Sequence, residues 1–556
     1  MNDERLAQAR AWMRQDPDHE TRDELAGLIT RAGNGDEAAS TDLDDRFGAR
    51  LAFGTAGLRG ALGAGSNRMN RVLVAQAAAG FAAYLRERAA GAAPTVVIGY
   101  DGRRNSRVFA TDSAEIFAGA GLRAILLPRL LPTPVLAFAV RHLGADAGVM
   151  VTASHNPPND NGYKVYLGGD DQGSQIVAPA DAAIAAHIQR VADAGDVSAL
   201  PRSTAYELAG EEVVAAYVAA TAAVSPAPES ASGLRWVYTA MHGVGWETVS
   251  AIVKAAGYPQ PMVVGEQLQP DATFRTVSFP NPEEPGAMDL AFARAKRVQA
   301  DFILANDPDA DRLAVAVPDA SVEGGWRRLT GNEVGLLLGA RAARAAAGTP
   351  GASLACSLVS SPGLGAIAAR HGLDFHETLT GFKWISRAPG IVFGFEEALG
   401  YLVNPETVRD KDGISAVVAI LGLAAEAHAR GASLADLLVE LGDTYGHFAS
   451  GQVSVRVDDL SIIGKVMLSL RTLPPTRFGD RAVAAAEDLL QAAEGQPSGD
   501  VLRYRLADGS RIIVRPSGTE PKLKVYIDAA GDSSAHAAQA VDELESAVRE
   551  LLDERS

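Results

Sequence analysis

The sequence predicts three α/β units with mixed, helix-flanked sheets, followed by a smaller α+β unit. Three observations carry this. Strand-like apolar runs, "TVVIGYD" (95–101), "RAILLP" (123–128) and "GVMVTAS" (148–154), alternate with helix-like stretches, the rhythm of β–α–β construction. The rhythm restarts after a Pro/Ser/Ala-rich break, "AAVSPAPESASG" (222–233). From about Tyr445 it gives way to alternation of apolar and polar residues, with a hairpin signal at Asp508-Gly509.

Taken in order, residues 1–45 read as a polar, helical N-terminal extension. The first α/β unit spans 46–205. The second, 206–322, holds "LRWVYTAMHG", "PMVVGE" and "DFILANDPDADR". The third, 323–444, holds "ASLACSLVSS", "DFHETLTGFKW" and "IVFGFEEALGY". The α+β unit, 445–556, is built from "GQVSVRVDD", "VLRYRLADGSRIIVRPSG" and "KLKVYIDA".

A chain of 556 residues with 47% hydrophobic and 21% charged residues can bury several cores. A net charge of −17 argues against nucleic acid or an anionic membrane as the main partner. It leaves small anionic substrates open, because a few local cations can reverse the field inside a cleft. The single cysteine, Cys356, cannot form an internal disulfide and reads as a core residue of a reducing, cytoplasmic compartment. The first twenty residues are charged and do not read as a secretory signal. Apolar runs such as "ISAVVAILGLAA" are too short to span a bilayer.

Each chemically suggestive loop follows a strand-like run, where open α/β sheets place their ligands. The loop "TASHNPPNDNGYKVY" (152–166) carries Ser154, His155 and Lys164. Its "NPPNDNG" is expected to be neither helix nor central strand. A serine nucleophile needs a nearby base or a stabilised anion, and His155 and Lys164 are groups of that kind; a tight surface turn is the alternative. In "DPDADR", Asp307, Asp309 and Asp311 alternate, so an extended chain points them the same way. Three clustered carboxylates call for a hard cation, Mg²⁺ or Ca²⁺. An EF-hand fails, since its glycine and glutamate positions hold Arg312 and Pro318.

The loop "FGFEEALGY" (393–401) offers Glu396 and Glu397 for vicinal sugar hydroxyls; alone, it reads better as an acidic helix N-terminus. In "RPSGTEPKLK" (515–524), Arg515, Ser517, Gly518, Thr519 and Lys522 make a phosphate cradle or an exposed basic turn. "FGTAGLRG" (53–60) adds Arg59 as an anion contact, and "TGFKW" (380–384) adds Thr380 and Lys383.

"TASHNP" with a lysine ten residues after the serine, "DPDADR", "GFEEALG" and "RPSGTEP", in that order, closely resemble the α-D-phosphohexomutase superfamily from about residue 46 to 556. "TGFKWI" and "GFEEALGY" look most like its phosphoglucomutase-2/phosphopentomutase branch. The resemblance implies four domains around a central cleft and a phosphoserine at Ser154. It implies Mg²⁺ held by Asp307, Asp309, Asp311 and a phosphoserine oxygen, with a sugar 1,6-bisphosphate as activator. Lys164 matches the family's general acid/base, with His155 and Arg59 beside it and Arg312 as an anchor near the serine. Glu396 matches the sugar-loop glutamate, and Arg515, Ser517, Gly518 and Thr519 match the loop that grips the distal phosphate. Where many hexomutases carry a serine two positions after that glutamate, this chain has Ala398, which bears on sugar identity.

The expected activity is interconversion of glucose 1-phosphate and glucose 6-phosphate through a bisphosphate intermediate, with phosphopentomutase or phosphomannomutase as alternatives. A phosphosugar phosphatase and an inactive sugar-phosphate-binding protein are rivals of another class. The expected partner is a small phosphosugar, with no nucleic acid or membrane, acting on a monomer or homodimer.

Overall fold

The computed structural model describes residues 3–555 apart from 90, 458, 492–497 and 518–521. It divides into two compact units, Met1–Arg328 with Gly400–Ala429, and Leu329–Leu399 with Arg430–Ser556.

The first unit opens with three helices, α1 (Asp3–Gln15), α2 (His19–Gly33) and α3 (Glu37–Phe47). Asp18 and Asp36 cap α2 and α3 by accepting from Glu20 N and Ala39 N, satisfying donors that a helix start leaves open. Trp12, Leu25, Leu43 and Phe47 join the core of the sheet that follows, and Trp12 meets Phe47 edge to face at 6.0 Å.

That sheet contains β1 (Leu58–Ala61), β2 (Thr95–Tyr100), β3 (Arg123–Leu126), β4 (Ala147–Val151), β5 (Asp160–Leu167), β6 (Ser174–Gln175) and β7 (Glu207–Leu208). Its order is β1-β5-β4-β2-β3-β7, with β6 on β5. Every residue of β4 is buried, the pattern of a strand covered on both faces. The covering helices are α4 (Arg71–Arg88), α5 (Ser106–Gly119), α6 (Thr133–His142) and α7 (Ala180–Ala194). Helices α4 and α7 approach closely at Gly80, where a Cβ would lie 2.6 Å from the Ile188 backbone.

The second sheet has the order β12-β11-β10-β8-β9, from β8 (Trp236–Thr239), β9 (Met262–Val263), β10 (Phe302–Asn306), β11 (Leu313–Pro318) and β12 (Trp326–Arg328). Strands β10 and β11 form an antiparallel pair that brackets residues 307–312. The returning segment adds the buried helix Gly413–His428. Its first residue must be glycine, because a Cβ there would sit 2.3 Å from the Arg312 carbonyl oxygen.

In the second unit, β13 (Ser353–Ser357) pairs in parallel with β14 (Asp374–Thr378) and β15 (Ile391–Glu396). A six-stranded antiparallel sheet follows, with the long strands His447–Arg456 and Lys522–Gly531 paired along their whole length. The helix Ser534–Arg555 packs on it through Ala540, Val541, Leu544 and Val548. Arg511 fastens the two sheets of this unit: it donates to Asp528 at 2.7 Å, to Glu377 of β14 at 2.6 Å and to the Ser360 carbonyl at 2.6 Å. Among the described residues, no helix is long and apolar enough to cross a membrane.

Two local expectations are overturned. Asp160–Gly162 of "NPPNDNG" belong to β5, a central strand between β1 and β4. Asn156, the two prolines and Asn159 stay outside it, and Gly162 is what admits the close strand, since a Cβ there would lie 2.5 Å from the Thr152 carbonyl oxygen. Lys164 consequently stands on a strand opposite Met150 of β4, not on a loop.

Candidate active site

The carboxyl end of β4 delivers Ser154. Its φ is 51°, a left-handed conformation that costs a non-glycine residue free energy and persists only where the surroundings impose it. Thr152 Oγ1 accepts from Ser154 N at 2.8 Å. Arg103, almost wholly buried, clamps the turn: its two terminal nitrogens donate to the carbonyls of Ser154, Asn156, Pro157 and Asp160 at 2.6–3.1 Å. Asp101 lies 3.5 Å from the same guanidinium. One arginine thus fixes four carbonyls that the proline-rich turn leaves without ladder partners. Arg59 on β1 braces the other side, donating to Asn156 Oδ1 at 3.1 Å.

The hairpin turn 307–312 brings up Asp307, Asp309 and Asp311. It is not extended: Ala310 N donates to Asp307 O at 2.9 Å, and Ala310 has φ 56°. The carboxylates converge because the turn wraps them, rather than through strand alternation, and oxygens of all three lie within 4.8 Å of one another. All three residues are fully buried. Ser154 Oγ donates to Asp307 Oδ2 at 2.8 Å and stands 3.2 Å from His155 Nδ1. Lys164 Nζ donates to Asp309 Oδ2 and Asp311 Oδ2, 2.8 Å to each. Thr133 Oγ1 donates to Asp309 at 2.6 Å.

Electrostatics follow from this packing. Burial, and then the charges of Asp309 and Asp311, push Asp307 well above the usual carboxylate range. Burial pushes Asp309 the same way, but Lys164 and Thr133 outweigh it and hold Asp309 below that range. Burial lowers Lys164, yet Asp309 and Asp311 reverse this and keep it an ammonium. Burial, then Arg312 and Arg59, drive His155 well below its ordinary value, so its imidazole is neutral at pH 7.

The donor set fits a hard cation. It is all oxygen, buried and converging, and Asp309 Oδ1 and Asp311 Oδ1 are buried with no hydrogen-bond partner among the described residues. The triad could therefore bind a metal.

Arg103 and Lys411 were not found from the sequence. Lys411 Nζ lies 3.3 Å from Asp311 Oδ2, and its neighbour Asp410 accepts from Tyr166 at 3.0 Å. The signal for Arg103 was present, a basic pair after the strand end "GYD"; Lys411 lies in "RDKDG", far along the chain, with no local sign of its destination. Arg312 is held at the triad by its backbone, which donates to Asp307 Oδ1 at 3.0 Å.

The second unit holds the remaining candidates. Glu396 ends β15, and its loop turns into the strand Gly400–Leu402. The helix-N-terminus reading of Glu396 and Glu397 is therefore wrong: the glycine-flanked turn is a strand connection, with Leu399 at φ 61°. Glu397 Oε2 accepts from Ser357 at 3.2 Å and Ser360 at 3.1 Å, so its carboxylate is held against the sheet end. Thr380 and Lys383 sit at the start of the short helix Phe382–Ile385, with Lys383 Nζ 6.0 Å from the Trp384 ring. Arg515 lies on the strand Arg511–Pro516 opposite Lys524. Ser517 N donates to Lys522 O at 2.8 Å, closing the base of the fourth loop. Gly518 and Thr519 lie outside the described residues.

The chain matches four phosphoglucomutase/phosphomannomutase domain families: alpha/beta/alpha domain I over residues 50–194, domain II over 215–323, domain III over 330–445 and the C-terminal domain over 474–546. A protein of Haemophilus influenzae named probable phosphomannomutase is 54% identical over 87% of this chain and 98% of its own length. A human phosphopentomutase is 36% identical over 95% of this chain and 92% of its own. A phosphoglucomutase of Staphylococcus epidermidis is 34% identical over 91% of this chain and 95% of its own. A serine hydroxyl at a buried carboxylate triad, in a chain matched by these four domains in order between residues 50 and 546, identifies a phosphosugar mutase of the isomerase class, and the chain belongs to the phosphoglucomutase/phosphomannomutase family of the α-D-phosphohexomutase superfamily.

Proposed function

We propose that the chain interconverts α-D-glucose 1-phosphate and glucose 6-phosphate by way of phosphorylated Ser154 and a glucose 1,6-bisphosphate intermediate. The observation that supports this most is the placement of Ser154 Oγ 2.8 Å from Asp307 inside a triad whose charge Lys164 offsets in part. Phosphoryl transfer consists mostly of positioning and charge neutralisation, and those are what these residues supply.

In the forward half-reaction the P–O bond to Ser154 Oγ breaks as one forms to the free sugar hydroxyl. The hydroxyl proton passes to a base of the chain, for which Lys164 is proposed in its neutral form; held as an ammonium by Asp309 and Asp311, it first releases a proton to solvent. The bisphosphate then reverses in place. Its other phosphoryl group moves to Ser154 Oγ, the proton returns to the oxygen left behind, and the positional isomer leaves. Arg103 holds the serine turn rigid throughout, and His155, neutral, hydrogen-bonds Ser154 Oγ without adding charge. Asp307, Asp309 and Asp311 are proposed to hold Mg²⁺, which when bound neutralises charge on the phosphoserine. In the second unit, Thr380, Lys383, Glu396 and Glu397 are proposed for the sugar, and Arg515, Ser517, Gly518, Thr519 and Lys522 for the distal phosphate. The domain division at residues 45, 205, 322 and 444 and a cytoplasmic location are part of the same proposal.

A second reading, phosphomannomutase, is favoured by the name of the Haemophilus relative at 54% identity. Phosphorus NMR separates the two. The protein is incubated with Mg²⁺, a trace of sugar bisphosphate, and glucose 1-phosphate, mannose 1-phosphate or ribose 1-phosphate in separate samples. Fastest conversion of glucose 1-phosphate to its 6-phosphate, without inorganic phosphate, is the expected result. Faster conversion of either other sugar transfers the assignment to it, and accumulation of inorganic phosphate overturns the mutase mechanism in favour of hydrolysis.

A further inference from the structure

A cleft of mixed polarity lies within the first unit, away from Ser154. It holds about 790 Å³ between the N-terminal helices and the helices α4 and α7. Trp12, Arg14, Gln15, Arg50, Gln76 and Gln189 are among the residues that line it. We propose that this cleft binds a small organic phosphate, with Arg50 as the principal contact.

Arg50 carries the argument. It is half-buried, and among the described residues its guanidinium hydrogen-bonds only the Gln76 side-chain oxygen, a neutral acceptor on a residue 2% exposed. Taking a guanidinium partly out of water without an anion is unfavourable, and Arg50 therefore stands short of a counter-charge. Asp193 is the carboxylate whose charge offsets this burial, and it does so only in part. Asp193 also accepts from Gln189 at 2.7 Å, and Asp196, on the lining itself, accepts from Ser198 N at 2.8 Å. Arg14, exposed on the last turn of α1, adds a second cation to the lining.

A second observation points the same way. The Trp12 indole N–H is buried and has no hydrogen-bond partner among the described residues, although a buried indole usually finds one. The lining is mixed, with apolar surface from Ala11, Trp12 and Phe47 beside the arginines and glutamines. Its volume falls in the range of metabolite pockets, larger than a bare ion needs. The planar fork of arginine matches phosphate oxygens two at a time, and the glutamine amides suit hydroxyl groups on the same molecule.

The cleft is also joined to the strand that carries Arg59. Ser66, on its lining, donates to the Ala49 carbonyl at 2.8 Å, and Ser66 O accepts from Leu51 N at 2.9 Å. The same stretch runs through Leu62, whose N–H donates to Asn159 O at 2.7 Å beside the Ser154 turn. A ligand seated against Arg50 would bear on this connection, which makes the site suited to an effector.

Hydrogen-exchange mass spectrometry with inorganic pyrophosphate as the probe tests this. The expected result is protection of peptides covering 8–15 and 47–50, retained in Ser154→Ala and reduced in Arg50→Gln by about tenfold in apparent affinity. Basal mutase turnover should be unchanged in Arg50→Gln. Arg14→Gln, a substitution at an exposed position, guards against a folding artefact and should weaken protection severalfold. Protection confined to peptides around 154 or 515 overturns the proposal. Cleft protection that is the same in the parent, Arg50→Gln and Arg14→Gln overturns it equally.

Discussion

Ser154 Oγ hydrogen-bonds Asp307 Oδ2 at 2.8 Å, joining positions 153 residues apart in sequence. The contact puts the hydroxyl of one strand end against the metal-type turn of the next sheet. Ser154→Ala removes the oxygen while keeping the backbone, so mutase turnover should fall by about three orders of magnitude or more. Coupled assay of glucose 6-phosphate formation checks this, with the melting temperature as a control for folding.

Arg103 is the residue that makes the strained serine turn affordable, through four carbonyl contacts at 2.6–3.1 Å. Lysine keeps the charge but cannot reach all four. Arg103→Lys is expected to lower kcat by about ten- to a hundredfold, the scale of misplacing a reacting group, with KM changed much less. Steady-state kinetics separate the two parameters.

The triad predicts a metal-linked stability. Mg²⁺ that binds the folded chain and not the unfolded one raises the melting temperature. The rise should be seen on titration with Mg²⁺, reversed by a chelator, and lost in Asp309→Asn. That variant also tests the buried charge pair, because Lys164 then keeps only Asp311 as a 2.8 Å partner.

Gly80 separates packing from helix propensity. Alanine is better than glycine in a helix interior by about 1 kcal/mol, yet a Cβ at Gly80 would stand 2.6 Å from the Ile188 backbone. Overpacking of this kind costs about 1–3 kcal/mol. Gly80→Ala should therefore lower the melting temperature despite its propensity gain, as read by calorimetry.

Asp412 gives a pH dependence with a definite sign. Burial raises its carboxyl to about 6, against the hydrogen bonds from Ser415, Tyr217 and Ile414 that lower it. The folded chain holds this proton more tightly than the unfolded chain, whose value is near 3.8. The group's contribution is thus fully present below pH 3.8 and is lost as pH rises through about 6. Each pH unit of that window is worth about 1.4 kcal/mol, so the effect approaches 3 kcal/mol. Asp412→Asn keeps the cap oxygen and removes the titration. The stability difference between parent and variant should move in favour of the variant between pH 4 and 7, as measured by urea unfolding.

Much of this was legible in the sequence because burial leaves a pattern. The run "GVMV" reads as a covered strand since both faces demand apolar residues. The Asp508-Gly509 hairpin announces itself through the positive φ that Gly509 adopts, 88°. "DPDADR" reads as a cation site because three like charges in one turn need an explanation, although the turn, not an extended chain, gathers them. What was hidden depends on tertiary contact. Nothing local marks Lys164 as a strand residue after two prolines and a glycine; pairing with β4 decides it. "RAVAAAED" (481–488) is alanine-rich and favours helix by propensity, yet it is a strand because its neighbour Leu502–Leu506 supplies the ladder. Lys411 reaches Asp311 from a segment whose own sequence gives no direction.

The chain enters the second unit at Leu329, returns to the first at Gly400 and leaves it again at Arg430. This order matters during synthesis. A nascent chain that has emerged only as far as Arg328 carries Ser154 and all three aspartates, but it lacks Lys411 beside Asp311, Asp410 beneath Tyr166 and the helix that Asp412 caps. The first unit therefore cannot finish folding on the ribosome until much of the next unit has been made. A gene truncated after residue 328 yields an incomplete core rather than a smaller enzyme. Any separable fragment of the first unit must carry residues 400–429 with it.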